Sequence, residues 1–324
     1  MSFTKNLSAA VTVVVAGLWL CSSVWGAEAA WEDYLRKAKA SFKQHKLDEA
    51  VSSGQKAIES AEKEFGPDDI RVAEACTVLG QLNANGGQYK PAEDLLKRAL
   101  TIKLKALGPD DPSLIPALGN LGIVLHKQRN FEEAEKYYSR ALDFDMKQRL
   151  ENRLPVAEVM NNLAVLFADK GDLDQAETLT QSAIAVQEKA VGPNSRAVAT
   201  SLNNLASIHL QQKRFDTAVA VEQMALDTLK EAVGPDKPVV AAVGRNLANM
   251  QIAAGRREDA LKTYREVLTI VEKNFGPQHL ETANVLVELA RLEDKLGNKK
   301  AAEDYVKRAR DIRTFGKPPS PARE

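Results

Sequence analysis

The side chains that could do chemistry are few, and their spacing argues against catalysis. His45, His126, His209 and His279 could act as metal ligands or proton carriers only beside a carboxylate at ligand spacing. Only His45, with Asp48 and Glu49 three and four positions on, has one along the chain, and the four share no common register. Cys76 could be a nucleophile, but it occupies the first apolar position of a helical pattern, where a thiol behaves as a small hydrophobe. Gly86-Gly87 in Asn83–Tyr89 follows a helix rather than a strand, so it reads as a turn and not a phosphate loop. No metal, cofactor or enzymatic activity is expected.

What remains is amides. Asn120, Asn162, Asn204 and Asn246 recur every 42 residues. One position earlier stand Asn161, Asn203 and Arg245, and four beyond Arg245 stands Asn249, in register with Val165 and Ile123. Amides both donate and accept hydrogen bonds, which suits the backbone of an extended peptide. Val165 and Ile123 would supply a small apolar patch for its side chains. A buried amide needs a partner of its own, so the Asn204 ladder has a scaffold reading beside the ligand reading. Asn161, Asn203, Arg245 and Asn249 are better ligand candidates, because no periodic rule demands them.

Those residues lie on helices that the pattern defines. Leu202, Leu205, Ala206 and His209 fall at i, i+3, i+4 and i+7 and mark a core face. A 100° step then puts Thr200, Ser207 and Gln211 opposite, with Asn203 beside them. After the turn Gln212-Lys213-Arg214, Phe215, Ala218, Val221 and Ala225 continue on a second helix. The whole phrase repeats. Ala50, Ala92, Ala134, Ala176, Ala218, Ala260 and Ala302 are 42 residues apart, and Ala57, Ala99, Ala141, Ala183, Ala225, Val267 and Ala309 follow seven positions later. Leu79, Leu121, Leu163, Leu205, Leu247 and Leu289 keep step on the first helices. Only a methyl group fits where two helices cross tightly. Gly66-Pro67, Gly108-Pro109, Gly192-Pro193, Gly234-Pro235 and Gly276-Pro277 end the second helices. Glycine there is expected in the left-handed helical conformation, with a proline that cannot continue the helix. The Glu and Lys residues of the second helices read as a solvated outer face. A lone hairpin cannot bury its apolar face, so neighbours must stack.

The phrase LNNLASIHLQQKRFDTAVAVEQMAL resembles the tetratricopeptide repeat. The 42-residue period and the G-P-D linker are similar to its kinesin-light-chain type. The resemblance covers Trp31 to Arg313 and implies an all-α solenoid: a right-handed superhelix of seven helical hairpins over residues 30–313. It also implies an inner groove that holds an extended peptide or a partner helix. In that family an asparagine at the Asn204 position often bonds within the scaffold. The motor is not carried over, since no heptad segment is present. Repeat one has Lys37 where the others have leucine, as a polar terminal cap requires, and repeat seven closes with Tyr305, Lys307, Arg308 and Arg310. Repeat three has Arg149-Leu150-Glu151-Asn152-Arg153 in place of Gly-Pro.

Composition is that of a globular chain: 44% hydrophobic, 27% charged, net charge zero. Nothing in it points to nucleic acid. Residues 1–29 have the form of a secretory signal peptide, with Lys5, the apolar run Ala9–Leu20 and the small-residue sequence Ala27-Glu28-Ala29. The alternative is a membrane anchor over residues 7–27. Leu20 before Cys21 argues against a lipoprotein. Loss of Cys21 with the signal would leave Cys76 alone, so no intramolecular disulfide can form. Residues 314–324, with Pro318, Pro319 and Pro321, read as a frayed tail. The expectation is a non-enzymatic adaptor, periplasmic or secreted, that binds a protein or peptide in its groove. The alternative is an assembly subunit of an envelope-associated complex that uses its outer helical face.

Overall fold

The computed structural model describes residues 30–148 and 153–315. The signal or anchor segment, most of the altered linker of repeat three and the end of the tail lie outside the described residues. Fourteen helices and no strand are found among the described residues. They are α1 (Ala30–Lys43), α2 (Leu47–Phe65), α3 (Ile70–Asn85), α4 (Tyr89–Leu107), α5 (Leu114–Lys127), α6 (Phe131–Gln148) and α7 (Leu154–Lys170). The chain continues with α8 (Leu173–Val191), α9 (Arg196–Gln211), α10 (Phe215–Val233), α11 (Pro238–Ala253), α12 (Arg257–Phe275), α13 (Leu280–Lys295) and α14 (Lys299–Phe315). They make the seven hairpins of an all-α solenoid. The last helix runs to Phe315, so residues 314 and 315 belong to it and not to a tail.

Contacts divide the chain into two units, Met1–Asn120 and Leu121–Glu324. In the first, α1 packs on α2, α2 on α3, α3 on α4, and α1 also touches α3. Its core gathers Trp31, Leu35, Ile58, Val72, Cys76, Leu79 and Ile102. In the second, each helix from α6 to α13 packs on its successor, and α7 also touches α9. Val219, Leu226, Leu229, Leu247 and Met250 make one of its core clusters. Contact between neighbours alone is what lets such a fold grow by addition.

The alanine register is borne out: Ala50, Ala92, Ala134, Ala176, Ala218 and Ala260 are fully buried, and Ala302 nearly so. At two crossings a larger side chain meets a glycine. A Cβ on Gly122 would lie 2.3 Å from the Tyr138 ring, and one on Gly80 would lie 2.8 Å from Leu96. Lys37 is exposed and pairs with Asp33 at 2.7 Å, so α1 buries only Trp31, Leu35 and Ala38.

The Gly-Pro stops differ from expectation. Gly234 has φ 90° and ψ 151°, and the other four have ψ between 158° and 166°. This is not the left-handed helical conformation. A following proline excludes helical ψ from the residue before it, so the glycine keeps a positive φ and takes an extended ψ that only glycine tolerates. The left-handed residue sits instead at the turn inside each hairpin. His45, Arg129 and Lys213 have φ of 60°, 62° and 61°, and Gly87, Gly171, Gly255 and Gly297 fill the same register.

Candidate functional site

Within the second unit, α7, α9, α11 and α13 carry the face read as the groove. Asn203 and Asn246 are brought together: the Asn246 Nδ2 donates to Asn203 Oδ1 at 2.7 Å, across consecutive first helices. Asn246 is exposed and Asn203 half-buried. Arg245 is half-buried and donates to Glu281 at 2.9 Å. Asn249 is exposed and accepts from the Tyr264 hydroxyl at 2.7 Å. Val165 is 36% exposed, while Ile123, Asn162 and Asn204 are half-buried. In the first unit Asn120 accepts a long 3.4 Å bond from Gln81.

Asn161 does not stand where the 100° step puts it. It is 7% exposed, and its amide donates to Ser201, which in turn donates to Gln187 at 2.7 Å. That buried chain ties α7 to α9 and α8. The neighbouring repeat rolls Ser201 against a position that a single helical wheel leaves open, so Asn161 serves the scaffold. Its Oδ1 has no partner.

The Glu and Lys residues of the second helices read as a solvated outer face, and Glu222 is an exception to that. It lies on α10, is fully buried, and neither carboxylate oxygen accepts a hydrogen bond. Burial pushes its pKa up from 4.5 to about 8, and the nearby Asn246 amide opposes the shift only in part. The register of Glu222 holds Gly54, Leu96, Tyr138, Thr180, Tyr264 and Val306 in the other repeats. Two of these side chains, on α12 and α10, sense the next repeat's first helix: Tyr264 feels Glu288 and Arg291 of α13, as Glu222 feels Asn246 of α11. Burial, the largest cause, raises the Tyr264 phenol to about 12. The signal was present in the sequence as one acid in a register otherwise small, apolar or hydroxyl-bearing.

The amide pair, Glu222, Arg245, Asn249 and Tyr264 thus form a polar floor along α9 and α11. Past it, on α13, Glu288 pairs with Arg291 at 2.8 Å. A cleft of 990 Å³ then opens between α13 and α14, lined by Val287, Ala290, Arg291, Ala302, Val306 and Arg310 among others. The arrangement offers donors, acceptors and a cleft whose small apolar base is rimmed by charged side chains such as Asp294, Lys299, Glu303 and Lys307, but no nucleophile beside a base.

The other candidates fall outside this floor. Cys76 is buried, and desolvation raises its thiol to about 11, well away from thiolate reactivity. His209 is 4% exposed and packs in its hairpin, with Nδ1 3.2 Å from Gln212. His126 does meet a carboxylate, Asp169 at 2.8 Å, 43 residues on in the next repeat; ligand spacing along one helix misses such a pair. No group of three or more potential metal ligands is found among the described residues. Nor is any described helix long and apolar enough to cross a membrane.

No curated protein sequence matches the chain. Solved structures do. BtubC from P. vanneervenii aligns with a TM-score of 0.54 and 22% identity, over 86% of this chain and 96% of its own. A Rap protein complexed with competence and sporulation factor gives 0.59 and 18%, over 89% and 77%. Kinesin light chain TPR-like repeats from Podosopora anserina give 0.53 and 16%, over 64% and 98%. At these identities the likeness is one of fold. The family model described as tetratricopeptide repeat matches residues 33–105, 87–147, 155–231 and 239–314, most of the sequence. The chain belongs to the tetratricopeptide repeat family.

Proposed function

We propose that this chain is a non-catalytic adaptor that holds an extended peptide segment along the first-helix face of α9, α11 and α13. The observation that carries the reading is the Asn203–Asn246 pair, an exposed amide on a half-buried one, set over a polar floor and followed by a cleft rimmed with charged side chains. Amides with free donor and acceptor capacity can exchange their mutual bond for bonds to a peptide backbone. Tetratricopeptide repeat proteins are generally scaffolds of this kind, and the similar Rap protein was solved with a factor bound. The exposed large apolar side chains are spread over many helices, from Ile70 on α3 and Val191 on α8 to Met224 on α10 and Leu280 on α13. An outer-face assembly surface would gather them into a patch.

The test is an isotherm against a partner recovered by pull-down, with Asn203→Ala and Asn246→Ala combined. The expected loss is about 1–3 kcal/mol from two backbone-type hydrogen bonds, or roughly five- to 150-fold in Kd. Unchanged affinity with intact helicity would turn attention to the outer face.

We further propose that the adaptor works in an exported compartment, periplasmic or secreted. Lys5, Ala9–Leu20 and Ala27-Glu28-Ala29 support this as a signal pattern. N-terminal sequencing of native material should find a chain that begins near Ala27 or Ala30; intact Met1 in the membrane fraction would favour an anchor.

A further inference from the structure

We infer that Glu222, beneath the Asn203–Asn246 pair, is a subsite for an arginine side chain of the bound peptide. The inference rests on the groove reading and names a side chain that the groove selects. Both carboxylate oxygens of Glu222 lie buried side by side without a hydrogen-bond partner. An unpartnered buried carboxylate is costly, and the scaffold has no use for one. The same register is filled by Leu96, Thr180 and Tyr264 in other repeats, so packing demands neither the acid nor its charge.

Two oxygens lacking donors match the planar fork of a guanidinium, which gives two parallel N–H···O bonds. An ammonium is a point donor and would leave one oxygen less well served. The neighbouring cations do not compete for the carboxylate. Arg245 is held by Glu281 at 2.9 Å, and Arg291 by Glu288 at 2.8 Å. Access requires the exposed Asn246 side chain to turn aside, which breaks its hydrogen bond to Asn203 Oδ1 and gives up its approach to the Glu222 carboxyl. The amide that gives way is one of those proposed to bind the peptide backbone, so a single rearrangement would serve both contacts.

The experiment uses the full mature chain and four pools of acetylated nonapeptides. The central residue is fixed as Arg, citrulline, Lys or Leu, and the others are degenerate. Citrulline keeps the shape of arginine and loses the charge. The wild type should retain the Arg pool about tenfold over the citrulline and Leu pools, with Lys between, as a charge-assisted bidentate pair requires. Glu222→Gln and Glu222→Thr should reduce that preference to within about twofold while helicity is kept; threonine already fills this register as Thr180. Asn203→Ala with Asn246→Ala should lower retention of all four pools.

A second readout needs no variant. The Glu222 carboxyl carbon, followed by 13C NMR, should titrate at lower pH when ethylguanidinium is present. An unmoved titration overturns the subsite, as does an Arg preference that survives both Glu222 variants. Equal retention of the four pools, abolished by the double asparagine variant, overturns the subsite and leaves the groove standing. Retention of no pool overturns both.

Discussion

Leu96 and Glu222 occupy one register of the repeat, three repeats apart, and are equally hidden, at 2% and 0% exposure. Leu96 fills the space that Gly80 leaves, and its burial is stabilising without further conditions. Glu222 is as deeply buried on α10, with a carboxyl whose oxygens lack a hydrogen-bond partner in good geometry and feel only the nearby Asn246 amide. The repeat therefore specifies depth at this position and leaves polarity free. Depth alone is no guide to role. The α3–α4 hairpin spends the position on its core, while the α10–α11 step places there a group that packing does not explain.

The contrast can be broken from either side. Leu96→Glu should cost about 3–5 kcal/mol, because it buries a charge against apolar neighbours. Hydrogen exchange should show the loss concentrated in α3 and α4, as expected where repeats touch only their neighbours. Uniform loss across all helices would contradict that locality.

The reverse change removes a liability. Glu222→Gln should stabilise by about 2–4 kcal/mol at pH 8, since one pKa unit corresponds to about 1.4 kcal/mol. The sign follows from linkage. The folded-state pKa, about 8, lies above the ordinary 4.5. The stability this group contributes is complete below pH 4.5 and is lost as pH rises toward 8. Wild-type melting temperature should fall over that window by more than that of the glutamine variant. Parallel curves in a chemical-denaturation series would refute the assignment.

The smallest effect concerns the turn inside the hairpin. Lys213→Gly should stabilise by about 1 kcal/mol, because an L-residue in the left-handed region pays a steric cost that glycine avoids. The same change at Gly87's register partner Arg129 should behave alike. A destabilised Lys213→Gly chain would show that the side chain there makes contacts worth more than the strain.

The period carried most of the fold into view. Ala218 and its equivalents fix which faces meet, and Leu205 with its equivalents fixes the first helix, so seven hairpins could be read without coordinates. The site was less legible, for a physical reason. A helical wheel describes one helix, whereas Asn161 is buried by Ser201 from the next repeat, and Glu222 reaches the first helix of the repeat beyond its own. Asn249 is exposed, whereas Asn203 is half-buried and bonded by Asn246 from the next repeat, a contact that no single wheel contains. The left-handed turn residues were open to reading too. His45, Arg129 and Lys213 share a register with four glycines, but their residue types mask the shared conformation.

The short reach of every inter-repeat bond bears on how the chain is made. Among the described residues, the bonds from one repeat to the next span at most 43 positions, as in Asn203–Asn246 and His126–Asp169. At a synthesis rate of about 5–20 residues per second, each partner follows its mate within roughly 2–9 s. Low sequence separation also lowers the entropic barrier to closure. Every completed hairpin can dock on the one before it while the remainder is still being made, so no strand or helix has to wait for a distant end of the polypeptide.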